Sequence, residues 1–369
     1  MISSIDIGSF RGIRSLKLEN LAMVNILTGD NNCGKTSVLE ILDSFSQPDD
    51  FWKWSSLTRR DTRGILPYRN LSLYESFYDL FDIDAEEKRI EYTIEMDGEV
   101  TKVSVLAKES YEELNEDEIA EIQDISRPVI KKEGQLSDVT YPVARLEAEI
   151  WINDERINKN DLYEGQIRFS KVREMVNREF SEKIIYISPV RHAEGNIFLS
   201  QVLNIPEMYE EMLTVLKEYD ENIISINYDK ESDSLPGRGV YKILSKSHKK
   251  ALPLNVYGDG MKKAVLLMSA VVRAQNGILL LDEFETAIHT SAMDKTFKWI
   301  LEACRKLNVQ LFLTSHSKEA IDKVLKCAPD HMDDIAVYTL YKDETGTVAR
   351  RLSARKAIEV QDEMGLELR

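Results

Sequence analysis

The stretch Gly29-Asp30-Asn31-Asn32-Cys33-Gly34-Lys35-Thr36 decides the fold. An apolar run, Met23-Val24-Asn25-Ile26-Leu27, leads into it, and Ser37-Val38-Leu39-Glu40-Ile41-Leu42 follows. Strand, glycine-rich loop and helix is the setting in which the spacing G-x-x-x-x-G-K-[ST] means a phosphate cradle. Two glycines let the backbone curl until successive N–H groups converge, and the helix start adds its positive dipole end. Gly29 to Ser37 are therefore expected to wrap the phosphates of a nucleotide. Lys35 would reach the β- and γ-phosphates, and the Thr36 hydroxyl would sit on Mg²⁺.

A chain of 369 residues can bury a full core and divide into two lobes or domains. The balance of 48 basic against 64 acidic residues, a formal −16, argues against a surface that coats nucleic acid. It leaves room for a local phosphate site, because exposed charges are screened beyond about 8 Å. Cys33, Cys304 and Cys327 form no C-x-x-C pair, which fits a reducing compartment and no zinc. No basic-then-apolar leader opens the sequence, and the longest apolar run, Ala264 to Val272, is too short to span a membrane. The expected location is the cytoplasm.

Residues 1 to 28 read as three strands, with Phe10-Arg11-Gly12 at the first turn. An arginine there either touches the nucleotide or belongs to a plain surface turn. Gln47-Pro48-Asp49-Asp50 ends the helix after the loop, and residues 48–180 read as an α+β insertion. Within it, Arg89 to Ala107 and Ala144 to Ile152 alternate like antiparallel strands. Glu109 to Asp124 carries eight acidic residues and no basic one, which reads as a solvated helix face. Asn158-Lys159-Asn160-Asp161 spells a guanine-reading pattern, but it follows a polar hairpin and is read as coincidence. Arg191, just past a strand ending at Pro189, suits a phosphate, a partner or an ordinary ion pair. Ile223 to Leu244 reads as a hairpin around Asp233 to Gly237, and Lys246, Lys249 and Lys250 as a solvated basic loop beside His248.

Residues 254 to 317 carry three further signals. Gly277 to Glu283 is an apolar strand ending in two carboxylates. Asp282 at the strand end is placed to hold Mg²⁺, and Glu283 to orient and deprotonate the attacking water. Val309 to Thr314 is a second strand, ending at Ser315-His316-Ser317, where His316 can sense the γ-phosphate. Tyr257-Gly258-Asp259-Gly260-Met261-Lys262-Lys263 opens a helix with an apolar face, and its two glycines make another anion-binding backbone. One nucleotide needs only one such cradle in a chain, so this one is expected to serve the nucleotide of a second copy.

The order of phosphate loop, insertion, Gly-Asp-Gly helix, Leu-Leu-Leu-Asp-Glu and Thr-Ser-His-Ser resembles the ATPase heads of the ABC/SMC group. Most closely it resembles the stand-alone bacterial relatives of the overcoming-lysogenization-defect (OLD) ATPases. The resemblance covers residues 1–47 and about 181–352, and the insertion only in general plan. It implies an α/β P-loop NTPase of ABC type: a mixed central sheet, an antiparallel β-lobe, a helical lobe and the insertion, with residues 1–47 and 181–369 forming a discontinuous head. It further implies Lys35 and Thr36 as Walker A, Asp282 and Glu283 as Walker B, and Gly258 to Lys263 as the signature. His316 would be the switch histidine, and Thr286 to His289 the loop facing a dimer partner.

ATP and Mg²⁺ are the implied ligands, and the implied assembly is a homodimer closed around ATP, with a higher oligomer left open. A separately encoded nuclease or toxin, in phage defence or DNA maintenance, is the implied effector. Direct contact with nucleic acid stays open, through an alternative in which the insertion processes DNA. The Gly-Asp-Gly-Met-Lys signature departs from the transporter Ser-Gly-Gly-Gln and speaks against a membrane transporter subunit. Lys318 to Arg369 is too short for the Toprim nuclease domain that OLD nucleases carry. No glutamine stands at a convincing strand end to serve as the glutamine loop.

Overall fold

The computed structural model describes residues 1–57, 72–122, 139–166, 181–189, 198–229, 240–286, 290–327, 329–344 and 346–363. Its strands are β1 (Ile2–Phe10), β2 (Ile13–Leu18), β3 (Val24–Gly29), β4 (Lys88–Met96), β5 (Glu99–Asn115), β6 (Thr140–Ile152), β7 (Glu155–Tyr163) and β8 (Ile184–Ile187). There follow β9 (Ile223–Asp229), β10 (Val240–Ser245), β11 (Leu252–Pro253), β12 (Ile278–Leu281), β13 (Gln310–Thr314), β14 (Ile335–Asp343) and β15 (Gly346–Ser353).

The central sheet runs β15-β14-β3-β13-β12-β8, parallel throughout except for the edge strand β15. Strands β3 and β12 are buried along their whole length, as parallel strands covered on both faces must be. Successive side chains divide between the faces. Leu279, Leu281, Leu311 and Leu313 enter one core with the helices Pro206–Leu216, Asp259–Arg273 and Thr290–Lys306. Ile278, Leu280 and Phe312 enter a second core with the helix Lys35–Ser44 and the antiparallel sheet. The expected apolar face of Asp259–Arg273 is fully buried, from Met261 through Val272. Mixed sheet, antiparallel β-lobe and helical lobe are all present as the sequence led us to expect.

The boundary at residue 48 is where expectation and structure part. The antiparallel sheet runs β2-β1-β4-β5-β6-β7, so β1 pairs directly with β4 inside the supposed insertion. Residues 88–163 thus complete the β-lobe instead of forming a separate unit. Fully buried Tyr92 of β4 bonds Ser44 at the end of the helix Lys35–Ser44 (3.0 Å), seating that sheet on the phosphate-loop helix. Buried Gln310 does the same for β1, exchanging two 2.8 Å hydrogen bonds with the backbone of Ile2.

The acidic stretch also differs. Glu109 to Asn115 continues strand β5, pairing with Thr140 to Leu146, and among the described residues of that stretch only Glu116–Ile122 is helical. Pairing with β6 overrides the helical spacing of the acids, and two tyrosines outside that strand pair hold them: Tyr74 of the helix Leu73–Tyr78 donates to Glu109, and Tyr163 of β7 to Glu112 at 2.9 Å. Asn158 to Asp161 lies in β7, where Asn158 donates to the Asp49 carbonyl and Asp161 pairs with Arg145, which confirms a structural role for that pattern. The β9–β10 hairpin is present, while its turn, Asp233 to Gly237, lies outside the described residues, as do Arg191 and His192.

Candidate active site

Strand β3 delivers the loop to the carboxyl end of the central sheet, and the glycines there are forced by geometry. Gly29 has φ 135°, and a Cβ on it would lie 2.1 Å from the Leu340 carbonyl oxygen of β14. Gly34 has φ 100°, caps the helix Lys35–Ser44, and would press a Cβ to 2.9 Å from Ile13. Asp30, Asn31 and Asn32 are exposed, and Asn32 adds a third left-handed residue (φ 62°). Lys35 is 5% exposed and folds its ammonium over the loop, donating to the carbonyls of Gly29 (2.8 Å) and Asp30 (2.7 Å). Ser37 is buried in the first turn. Cys33 is buried too, its sulfur 3.5 Å from the Lys35 ammonium, so the thiol packs inward and away from the open side of the loop.

Across the sheet, β12 ends at Asp282, which is 2% exposed. Three hydroxyls serve this buried carboxylate: Thr36 at 3.2 Å and Thr314 at 2.5 Å on Oδ1, and Tyr186 at 3.2 Å on Oδ2. A buried carboxylate is tolerated when such donors satisfy it. Burial, and then the Asp282 charge, push the Tyr186 phenol far above its ordinary range, so it stays a donor. The Thr36–Asp282 bond joins residues 246 apart in sequence and places the phosphate loop against the end of β12. Thr36 and Asp282 offer an all-oxygen donor pair, which suits Mg²⁺, an ion that takes few protein ligands and keeps waters and phosphate oxygens.

Glu283 follows with φ 48°, a left-handed conformation for a residue that carries a side chain. Its N–H donates to the Thr314 hydroxyl (2.8 Å), and its carbonyl accepts from both the N–H and the hydroxyl of Thr286 (2.9 Å each). His316 stands beyond β13, half-buried, and its backbone N–H donates to Glu285 at 2.8 Å. Ser315 N–H donates to the Leu27 carbonyl of β3, so the histidine loop is pinned between the loop strand and the carboxylate turn. Lys35, Thr36, Asp282, Glu283 and His316 thus share one end of one sheet.

Two expected groups sit apart from that cluster. Arg11 pairs with Glu40 of the phosphate-loop helix (3.1 Å) and donates to the Leu57 carbonyl (2.9 Å), so its guanidinium is engaged between that helix and the end of the helix Phe51–Ser56. Gly258 and Asp259 are exposed at the start of Asp259–Arg273. Among the described residues, nothing lies within 4 Å of where a Gly258 Cβ would stand, and one on Gly260 would meet only Tyr219 at 3.5 Å. Lys263 donates to the Thr286 carbonyl (2.6 Å), which ties this helix to the turn after Glu283. Ala287 to His289 lie outside the described residues.

A protein family described as "AAA domain, putative AbiEii toxin, Type IV TA system" matches residues 24–322. The chain belongs to this family. This chain's phosphate loop, carboxylate strand and histidine loop all fall inside the matched span, and the protein is an AAA-domain ATPase. Among curated proteins it is similar to an "ATP/GTP phosphatase" of Helicobacter pylori, 24% identical over 371 residues and 95% of each chain. Among solved structures it is similar to an SMC head domain from Thermotoga maritima, at 10% identity, TM-score 0.46, covering 95% of this chain and 99% of that one. An SMC head bound to the C-winged helix domain of ScpA gives 11% identity and TM-score 0.49 over 97% and 99%.

Three residues of this AAA-domain site carry no motif of their own: Tyr186, Glu285 and Thr314. Thr314 stands inside the Thr-Ser-His-Ser string, and a polar residue closing an apolar strand was its signal. Tyr186 and Glu285 are recognisable only once β8, β12 and β13 lie side by side.

Proposed function

We propose that the protein is a Mg²⁺-dependent ATPase switch, related to the OLD group, in which two copies close around ATP and hydrolysis opens them. The observation that carries this is the Thr36–Asp282 hydrogen bond, which brings both halves of a phosphoryl-transfer site to one point. In that reading Lys35 and the N–H groups of Gly29 to Ser37 hold the phosphates, and Thr36 and Asp282 hold the metal, which when bound neutralises phosphate charge. Glu283 takes the proton from the attacking water, and His316 reads the γ-phosphate. The "ATP/GTP phosphatase" relative, alike over nearly its whole length, supports hydrolysis.

Dimerisation is supported by Gly258 and Gly260, which no contact among the described residues requires and whose helix start is exposed. The effector is a separately encoded toxin or nuclease in phage defence or DNA maintenance, and the toxin–antitoxin wording of the family supports that class. No described helix is long and apolar enough to cross a membrane, and we place the protein in the cytoplasm. Glu283→Gln tests the whole reading. It is expected to bind Mg-ATP, lose about 10²–10⁴-fold in turnover, and double its light-scattering mass with ATP. Normal phosphate release by this variant overturns the reading.

A further inference from the structure

The left-handed backbone of Glu283 needs an explanation that the nucleotide motifs do not supply. A residue with a side chain holds φ near 48° only where its surroundings fix it there. Here both of its peptide groups are held. On one side the Glu283 N–H donates to Thr314 Oγ1 at 2.8 Å, and on the other its carbonyl accepts from Thr286 twice. The direction of the bonds at Thr314 follows from valence. A backbone N–H only donates, so a lone pair of the Thr314 oxygen takes the Glu283 N–H, and its single hydroxyl proton goes to Asp282 Oδ1 at 2.5 Å. Thr314 is buried at the end of β13 and reaches across to the end of β12, which it pairs in parallel.

We propose that Thr314 is a positioning residue for hydrolysis, its hydroxyl holding the base Glu283 in the left-handed conformation while orienting the Asp282 carboxylate. This rests on the reading of Glu283 as the base. Without the hydroxyl, Glu283 relaxes to an ordinary negative φ, and its Cα–Cβ bond swings away from the line of attack. Both Walker B carboxylates thereby depend on one side chain contributed by the neighbouring strand. Thr286, on the surface, is the weaker half of the same brace.

Thr314→Val keeps the shape and removes both bonds, while Thr314→Ser keeps the hydroxyl. Steady-state ATP hydrolysis, calorimetric ATP affinity and thermal melts are measured for both, beside Thr286→Val and Glu283→Gln. Thr314→Val is expected to lower kcat about 30- to 100-fold with KM within about threefold, and Thr314→Ser to stay within about threefold of the unmodified protein. A role in packing alone would lower the melting temperature and spare kcat. Wild-type kcat in Thr314→Val, or no rescue by serine, overturns the proposal while leaving the base assignment intact if Glu283→Gln is inactive. Normal turnover in Glu283→Gln overturns the base assignment itself, and this proposal with it. Should Thr314→Val fail to fold, Thr286→Val decides: kcat lowered about three- to tenfold at constant KM supports the brace, and unchanged kcat overturns it.

Discussion

The loop from Gly29 to Lys35 and the turn from Gly258 to Gly260 both set glycines before a helix, and the chain uses them in opposite ways. In the first, every glycine is demanded from within: positive φ at both ends, Leu340 and Ile13 pressed against the Cα atoms, and the lysine folded onto its own carbonyls. In the second, neither backbone strain nor crowding asks for glycine, and the surface is open. The contrast teaches that the first cradle is complete in a single chain. In the proposed reading, the second keeps its glycines for a second copy that approaches from outside.

The largest expected effect that sharpens this contrast is Lys35→Ala. Removing the ammonium from a site built to surround phosphate should weaken Mg-ATP binding by about 100-fold, read by calorimetry. Next is Gly260→Asp, expected to abolish the ATP-driven rise in light-scattering mass while leaving monomer affinity within about threefold, since an added carboxylate repels an approaching phosphate. An unchanged mass gain would break the comparison. Smaller still is Gly34→Ala, which forces a side chain to φ 100° against Ile13 and should cost about 2 kcal/mol in a denaturation experiment. Gly260→Ala, with helical backbone and free space, should change stability by less than about 1 kcal/mol, and in the favourable direction. The smallest effect concerns thiols. Cys33 and Cys304 are buried and burial pushes the Cys327 thiol up to about 12, so the native protein should react slowly with iodoacetamide at pH 8, with or without ATP.

Much of the nucleotide site was legible in the sequence because its residues are fixed by local backbone chemistry. A glycine loop between strand and helix, a buried strand ending in Asp282-Glu283, and a histidine after Thr314 each announce themselves over a few residues. The β-lobe was legible strand by strand, through the alternation of Arg89 to Ala107 and Ala144 to Ile152. Its extent was not, because the pairing of Ile2–Phe10 with Lys88–Met96 joins segments far apart in the chain. Glu109 to Asn115 was misread because acids at helical spacing also suit a strand once Thr140 to Leu146 pair with it and Tyr74 and Tyr163 donate to its carboxylates. Arg11 sat at the expected turn, but Glu40 one helix away competes for its charge.

The strand that carries the phosphate loop lies between Gln310–Thr314 and Ile335–Asp343. During synthesis it therefore leaves the ribosome with neither neighbour, and waits as an unpaired edge until residues past 335 have followed. A nascent chain halted earlier would hold every glycine and the lysine yet have no rigid floor beneath them. In the proposed reading, capture of ATP is thus reserved for molecules whose late strands have docked.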